Sequence, residues 1–214
     1  NRRGSSMTQP ELTLETTDTL KKQPTTRAIN TRNRILVRKA KAEETLNKIM
    51  PDTLEDGTTT HVISQGDIDS LSYMLWVLDK TPCEYILFST WCMALADVEE
   101  MQHWITTGRV GRIDAYVGEI FPNQYPEAFQ KLQQIVKSCG GRVAVFRNHA
   151  KVWAFDTGTQ QGVIESSANI NTNPRSEQTA VTIDPTLFDH YKNFYDKINP
   201  FNQSDNNWKP YHAD

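Results

Sequence analysis

Apolar positions along the chain follow two spacings. Residues 60–64 (THVIS), 85–88 (YILF), 112–117 and 142–146 (RVAVF) are short aliphatic or aromatic runs that predict strands. Between them, 68–78, 97–107 and 127–137 carry apolar side chains at helical spacing. Asp67 stands where it would cap the first helix, Gly108 where it would stop the second, and Gly140–Gly141 where they would stop the third. This alternation of strand and helix is that of α/β units. After Asn148 the pattern changes. Residues 152–155 and 163–164 predict strands joined by a polar turn over 156–162, and 178–183 predicts one more. Asp184–Pro185 then opens a helix to about residue 198, with proline at its first position.

The ends of the chain read differently. Residues 8–26 are polar and threonine-rich, as in a tail or linker, and 27–50 hold helix formers with Ile35, Leu36, Leu46 and Ile49 as candidate anchors. The last stretch is rich in Asn and Pro and reads as irregular, with Trp208 and Tyr211 as candidates for docking on the body. The expected division is a basic, partly disordered or helical arm over 1–57, a main domain over 58–198 and a tail over 199–214. Charge supports it. Residues 1–42 carry ten Lys/Arg against three Asp/Glu, a balance of +7, while the remainder of the 214 residues carries −10. The arm reads either as a solvated charged helix or as a segment that contacts phosphates or a partner.

Composition narrows the class. Hydrophobic residues at 37% and charged residues at 23% exclude a collagen-like or wholly disordered chain. No run approaches the roughly 20 apolar residues of a spanning helix, and the first 30 residues lack a signal-peptide core, so the expectation is a soluble, cytoplasmic protein without stable membrane association. Cys83, Cys92 and Cys139 show no C-x-x-C spacing, and the five histidines form no H-E-x-x-H. Neither a disulfide framework nor a dedicated metal site is expected.

Candidate chemistry concentrates in residues 148–177. His149 and Lys151 stand two apart, so on extended chain they share a face and offer one phosphate an imidazole nucleophile and an ammonium. Ser167 and Asn169 repeat that spacing with a hydroxyl and an amide. Glu177 is a candidate to accept the other imidazole N–H and so fix the tautomer. Arg175 is either a contact for a further phosphate or a plain surface arginine. The aromatic residues Tyr73, Trp76, Phe88, Trp91, Trp104, Trp153 and Phe155 read mainly as core or interface.

His149-Ala150-Lys151, four residues and then Asp156 resembles the H-x-K-x4-D signature of the phospholipase D superfamily. Ser166-Ser167-Ala168-Asn169 is similar to that family's following G-S-x-N, with serine in place of glycine. Glu177 matches the downstream glutamate of the small single-motif bacterial endonuclease branch. The resemblance implies an α/β fold: a phospholipase D-like mixed β-sheet flanked by helices, with one motif per chain. It implies catalytic roles for His149, Lys151, Asn169 and Glu177, substrate binding by Ser167, and structural or supporting roles for Asp156 and Ser166.

Members of that family combine two motifs in one site, and only one copy is present here. The implied enzyme is therefore a homodimer, a hydrolase that cleaves phosphodiesters through a phosphohistidine without a metal ion or other cofactor. A nucleic-acid substrate, DNA ahead of RNA, suits the basic arm and makes the protein an endonuclease. The alternative is a catalytically inactive nucleic-acid-binding or structural module with the same fold, from a phage or mobile element. Lipid headgroup hydrolysis is the weakest reading, since no amphipathic membrane helix is evident.

Overall fold

The computed structural model describes residues 31–170, 175–202 and 207–212. The polar stretch 8–26 and most of the basic arm lie outside the described residues. The elements in chain order are α1 (Thr31–Ile49), β1 (Thr58–Ser64), α2 (Ser70–Lys80), β2 (Cys83–Thr90), α3 (Leu95–Thr106), β3 (Val110–Gly118), α4 (Phe121–Gln124), α5 (Pro126–Ser138), β4 (Val143–Phe146), β5 (Val152–Asp156), β6 (Gln161–Ser166), β7 (Glu177–Ile183) and α6 (Pro185–Asp196).

The strands form one mixed sheet in the order β1-β7-β6-β5-β2-β3-β4. β2, β3 and β4 run parallel because helices connect them, whereas β5, β6 and β7 follow as an antiparallel meander with β1 closing the far edge. Strand alternation sends side chains to both faces. Phe88, Trp104, Trp153, Phe155 and Ile164 belong to the larger apolar cluster, together with α2, α3 and α5. Tyr85, Leu87, Tyr116, Val163 and Ala154 belong to the smaller one, covered by Phe188 and Tyr195 of α6. Both faces of the central strands are thus buried, which explains why YILF in β2 is apolar throughout.

Several boundaries differ from the periodicity. α2 is capped by Asp69, not Asp67: the Asp69 carboxylate accepts from the Ser72 N–H at 2.9 Å. Asp67 precedes the 68–78 stretch and Asp69 lies inside it, but the helix itself starts at Ser70, and Asp69 is the extended residue just before it. α3 begins two residues before Asp97, whose carboxylate instead reaches back to the Ala94 N–H at 3.0 Å. The four-residue α4 has no counterpart in the pattern. Among the candidate anchors of α1, Leu46 is buried and Ile49 is half exposed; Ala42, Leu46 and Met50, spaced four apart, form the buried stripe.

The carboxy-terminal stretch docks on the face that α6 covers. The Trp208 indole stacks on the Arg142 guanidinium at 3.7 Å and donates to Asp114 Oδ1 at 3.0 Å. Tyr211 stacks on Tyr85 at 4.2 Å, with the rings nearly parallel. Asp114 is fully buried, and Tyr85, Arg112, the Arg142 amide and Trp208 share its carboxylate.

Candidate active site

Register places one end of the sheet at the centre of the chemistry. Ser89 of β2 pairs with Val152 of β5, Val152 with Glu165 of β6, Ser166 with Thr179 of β7, and Glu177 with Ser64 of β1. The carboxy ends of β1, β2, β3 and β6 and the amino ends of β5 and β7 therefore meet. His149 and Lys151 enter β5 there, Ser167 and Asn169 leave β6 there, and Glu177 starts β7 there.

His149 is exposed, whereas Lys151 is only 8% exposed. The Lys151 ammonium lies 2.7 Å from the His149 carbonyl oxygen, to which it donates, and 3.0 Å from His149 Nδ1. Burial pushes the lysine pKa below its usual value; the Glu177 carboxylate and the Cys92 thiol act the other way. Cys92 is itself buried, and that burial raises its thiol pKa, with the nearby ammonium opposing. The site thus holds a partly desolvated cation beside an accessible imidazole. Such a cation interacts with an anion more strongly than it would in open water.

Glu177 does not take the place expected for it. Its carboxylate accepts a hydrogen bond from Ser167 Oγ, and among the described residues no hydrogen bond joins it to His149. Ser167 Oγ also accepts from the Gln178 N–H at 3.0 Å, which fixes the serine between the two strands. Ser166 faces away from this pair: its hydroxyl lies 2.8 Å from Thr179 Oγ1 and accepts from the Ala168 N–H at 3.1 Å. This serine shapes the bend after β6. The Asn169 carbonyl accepts from the Ser70 N–H at 3.3 Å, tying the bend to the start of α2. Asn169 Oδ1 is buried and has no partner among the described residues, an acceptor that a water or a protonated ligand oxygen would satisfy.

Asp156 sits at the other end of β5. Five residues of strand put it roughly 16 Å from Lys151. Its carboxylate accepts from the Gly158 N–H at 2.7 Å and the Gln161 amide at 2.7 Å, so it closes the β5–β6 hairpin. Gly158 has φ +82°, a left-handed turn position that glycine adopts without strain. Arg175 is exposed and follows a stretch outside the described residues.

Three residues join the site that motif spacing did not single out. The Trp91 ring lies 5.5 Å from the imidazole of His149, tilted by 58°. Gly118 ends β3 against Trp91 and the Asn148 carbonyl. Asn148, immediately before His149, is buried and hydrogen-bonded on all sides. The only local signal was the position of Trp91 just after β2, since strand ends surround the site. Among the described residues, no group of three His, Cys, Asp or Glu side chains is placed to hold a metal ion, and no helix is long and apolar enough to cross a membrane.

No protein-family model matches the chain, and no curated protein matches it. Solved structures do. The chain is similar to polyphosphate kinase from Porphyromonas gingivalis at 13% identity and a TM-score of 0.50, over 76% of this chain and 30% of that one. It is similar to Nuc from Salmonella typhimurium, a phospholipase D family member, at 15% identity and a TM-score of 0.49, over 64% of this chain and 91% of that one. A third likeness is to TrmBL2, an archaeal chromatin protein described with a novel mode of DNA binding, at 12% identity and a TM-score of 0.45, over 79% and 64%. The chain spans less than a third of the polyphosphate kinase, and at such identities likeness speaks to the fold alone.

Proposed function

We propose that the protein is a metal-independent phosphodiesterase, a nuclease acting through a phosphohistidine at a homodimer interface. The observation that carries this reading is the pairing of an exposed imidazole with a desolvated ammonium 3.0 Å away, at the sheet end where Ser167, Asn169 and Glu177 also gather. In the first step a lone pair on His149 nitrogen forms a bond to phosphorus. The bond from phosphorus to the leaving oxygen breaks, and the partner's His149 supplies the proton that oxygen needs. In the second step that imidazole takes a proton from water, the water oxygen bonds to phosphorus, and the P–N bond breaks. Two inversions give retention of configuration. Lys151 and the Asn169 amide of each subunit stabilise the extra charge on the equatorial oxygens.

The substrate reading is DNA ahead of RNA, with the basic residues of the arm opposite the polymer's other phosphates. Labelled single- and double-stranded DNA and RNA, incubated in excess EDTA with wild type and His149→Ala matched for dimer content, test it. Cleavage by wild type alone, with a label trapped on His149 that is stable to base and labile to acid, is expected. A folded wild-type dimer that cleaves none of these polymers would overturn the nuclease reading and favour the inactive nucleic-acid-binding or structural module.

A further inference from the structure

An exposed histidine in a connection between strands is ordinarily free to move, yet a nucleophile has to be held. We infer that Asn148 is the positioning residue that holds His149, and that it does so by locking the backbone on either side of it. This inference rests on the proposed role of His149 and adds a residue to it.

Asn148 Oδ1 accepts from the Ala150 N–H at 3.0 Å. This bond from side chain to backbone, two residues on, is an Asx-turn, and His149 is its central residue. The same carboxamide reaches away from the turn. Its Nδ2 lies 3.0 Å from the Thr90 carbonyl, 3.1 Å from the Tyr116 carbonyl and 2.9 Å from Ser89 Oγ. Thr90 ends β2 and Tyr116 is near the end of β3, so one side chain pins the turn to two neighbouring strands. Ser89 completes the arrangement by facing Asn148 Oδ1 and the Ala150 carbonyl, both at 3.2 Å.

The chemistry of the position is restrictive. One end of the side chain must accept from an amide while the other donates to two carbonyls that have no proton to offer. A carboxamide does both. Aspartate of the same shape would turn an acceptor toward Thr90 and Tyr116, and an aliphatic residue would take this partner from the Ala150 N–H and from the Thr90 and Tyr116 carbonyls, while Ser89 keeps the Ala150 carbonyl. The ring of Trp91 then bounds the imidazole from the side. His149 is thereby held at its backbone by Asn148 while its ring remains open to solvent.

The test pairs turnover with a direct view of the ring. Asn148→Ala and Ser89→Ala are compared with wild type by kcat and KM on the preferred polymer, and by the His149 imidazole signals in NMR. For Asn148→Ala, kcat per folded dimer is expected to fall about 100-fold with KM nearly unchanged, the scale of a misplacement near 1 Å. The His149 signals are expected to move toward those of an unstructured histidine while the other histidines keep theirs. Ser89→Ala is expected to show a smaller loss, and the double variant no more loss than Asn148→Ala alone. Asn148→Ser, which keeps a short acceptor for the turn, stands in if the alanine variant does not fold, and is expected to fall between it and wild type. A folded variant with altered melting but unchanged kcat and unchanged His149 signals overturns the inference. If wild type cleaves nothing, the nuclease reading fails, and the imidazole signals alone still decide whether Asn148 holds the ring.

Discussion

Replacing Gly118 by alanine tests whether three segments of the site meet as closely as described. A Cβ built on Gly118 stands 2.6 Å from Trp91 Cδ1, 2.9 Å from the Trp91 carbonyl oxygen and 3.1 Å from the Asn148 carbonyl oxygen. Ordinary contact begins near 3.4 Å, so the indole must retreat by about 0.8 Å and the Trp91 backbone by about 0.5 Å. The indole can rotate, but the two carbonyls belong to the segment after β2 and to the turn that carries His149. Overpacking of this kind costs about 1–3 kcal/mol. For a chain of this length that is a fall in Tm of about 2–12 °C. The same displacement reaches the imidazole through Trp91 and Asn148, and a shift approaching 1 Å costs on the order of 100-fold in turnover. Thermal melting and kcat on the preferred polymer measure both effects. A Gly118→Ala protein that melts with wild type and turns over at the wild-type rate would refute the close approach, and with it the arrangement of Trp91 beside His149.

Two further outcomes follow from buried charge. Lys151→Met is expected to abolish cleavage and to raise stability at neutral pH by on the order of 1 kcal/mol, as when a functional group held at a cost is removed. Since the folded protein holds this lysine below its usual pKa, the unfolded chain binds more protons between the lowered value and the usual one. Wild type should therefore recover stability relative to the variant as pH rises through that window; denaturant midpoints at neutral and alkaline pH measure it, and an unstabilised Lys151→Met at neutral pH would refute the desolvation. Trp208→Ala removes the indole from Arg142 and a donor from fully buried Asp114, and is expected to cost about 1–3 kcal/mol. An unchanged denaturation midpoint would mean that the carboxy-terminal stretch does not dock on the body.

The legible part of the fold was the part governed by periodicity. The apolar run at 85–88 lies in β2, the run at 142–146 covers β4 and the residue before it, and the amphipathic stretch 127–137 lies inside α5. Helix starts were less legible, because Asp67 and Asp69 present the same side chain two residues apart and only backbone geometry chooses between them. The closeness of His149 and Lys151 followed from a spacing of two on nearly extended chain. Their setting did not. Asn148 carries no periodic signal, and the five bonds of its side chain join residues separated by as many as 59 positions. Glu177 could be brought to the same sheet end by counting residues, but its partner there is set by where Ser167 falls in the bend after β6. That bend owes its shape to the Ser166 hydroxyl and the Ser70 amide, contacts that spacing in one segment cannot reveal.

The hydrogen bonding of His149 carries a consequence for a two-copy site. An ammonium only donates, and Lys151 Nζ lies 3.0 Å from Nδ1 and 3.4 Å from Nε2, so its bond to the nearer Nδ1 forms in the neutral tautomer whose proton is on Nε2. In that tautomer Nε2 gives a proton; it does not attack phosphorus. The opposite tautomer needs an acceptor for the Nδ1 proton, the role expected of Glu177, whose carboxylate here accepts from Ser167 instead. Two identical subunits at rest would hold identical rings, whereas the proposed reaction requires one ring to attack while the other protonates. The difference between them must come from the substrate, because a phosphodiester presents its scissile oxygen to one ring and the face opposite it to the other. A polymer with a chemical direction along its backbone supplies that inequality on binding, and a symmetric dimer can then take it in either of two equivalent orientations.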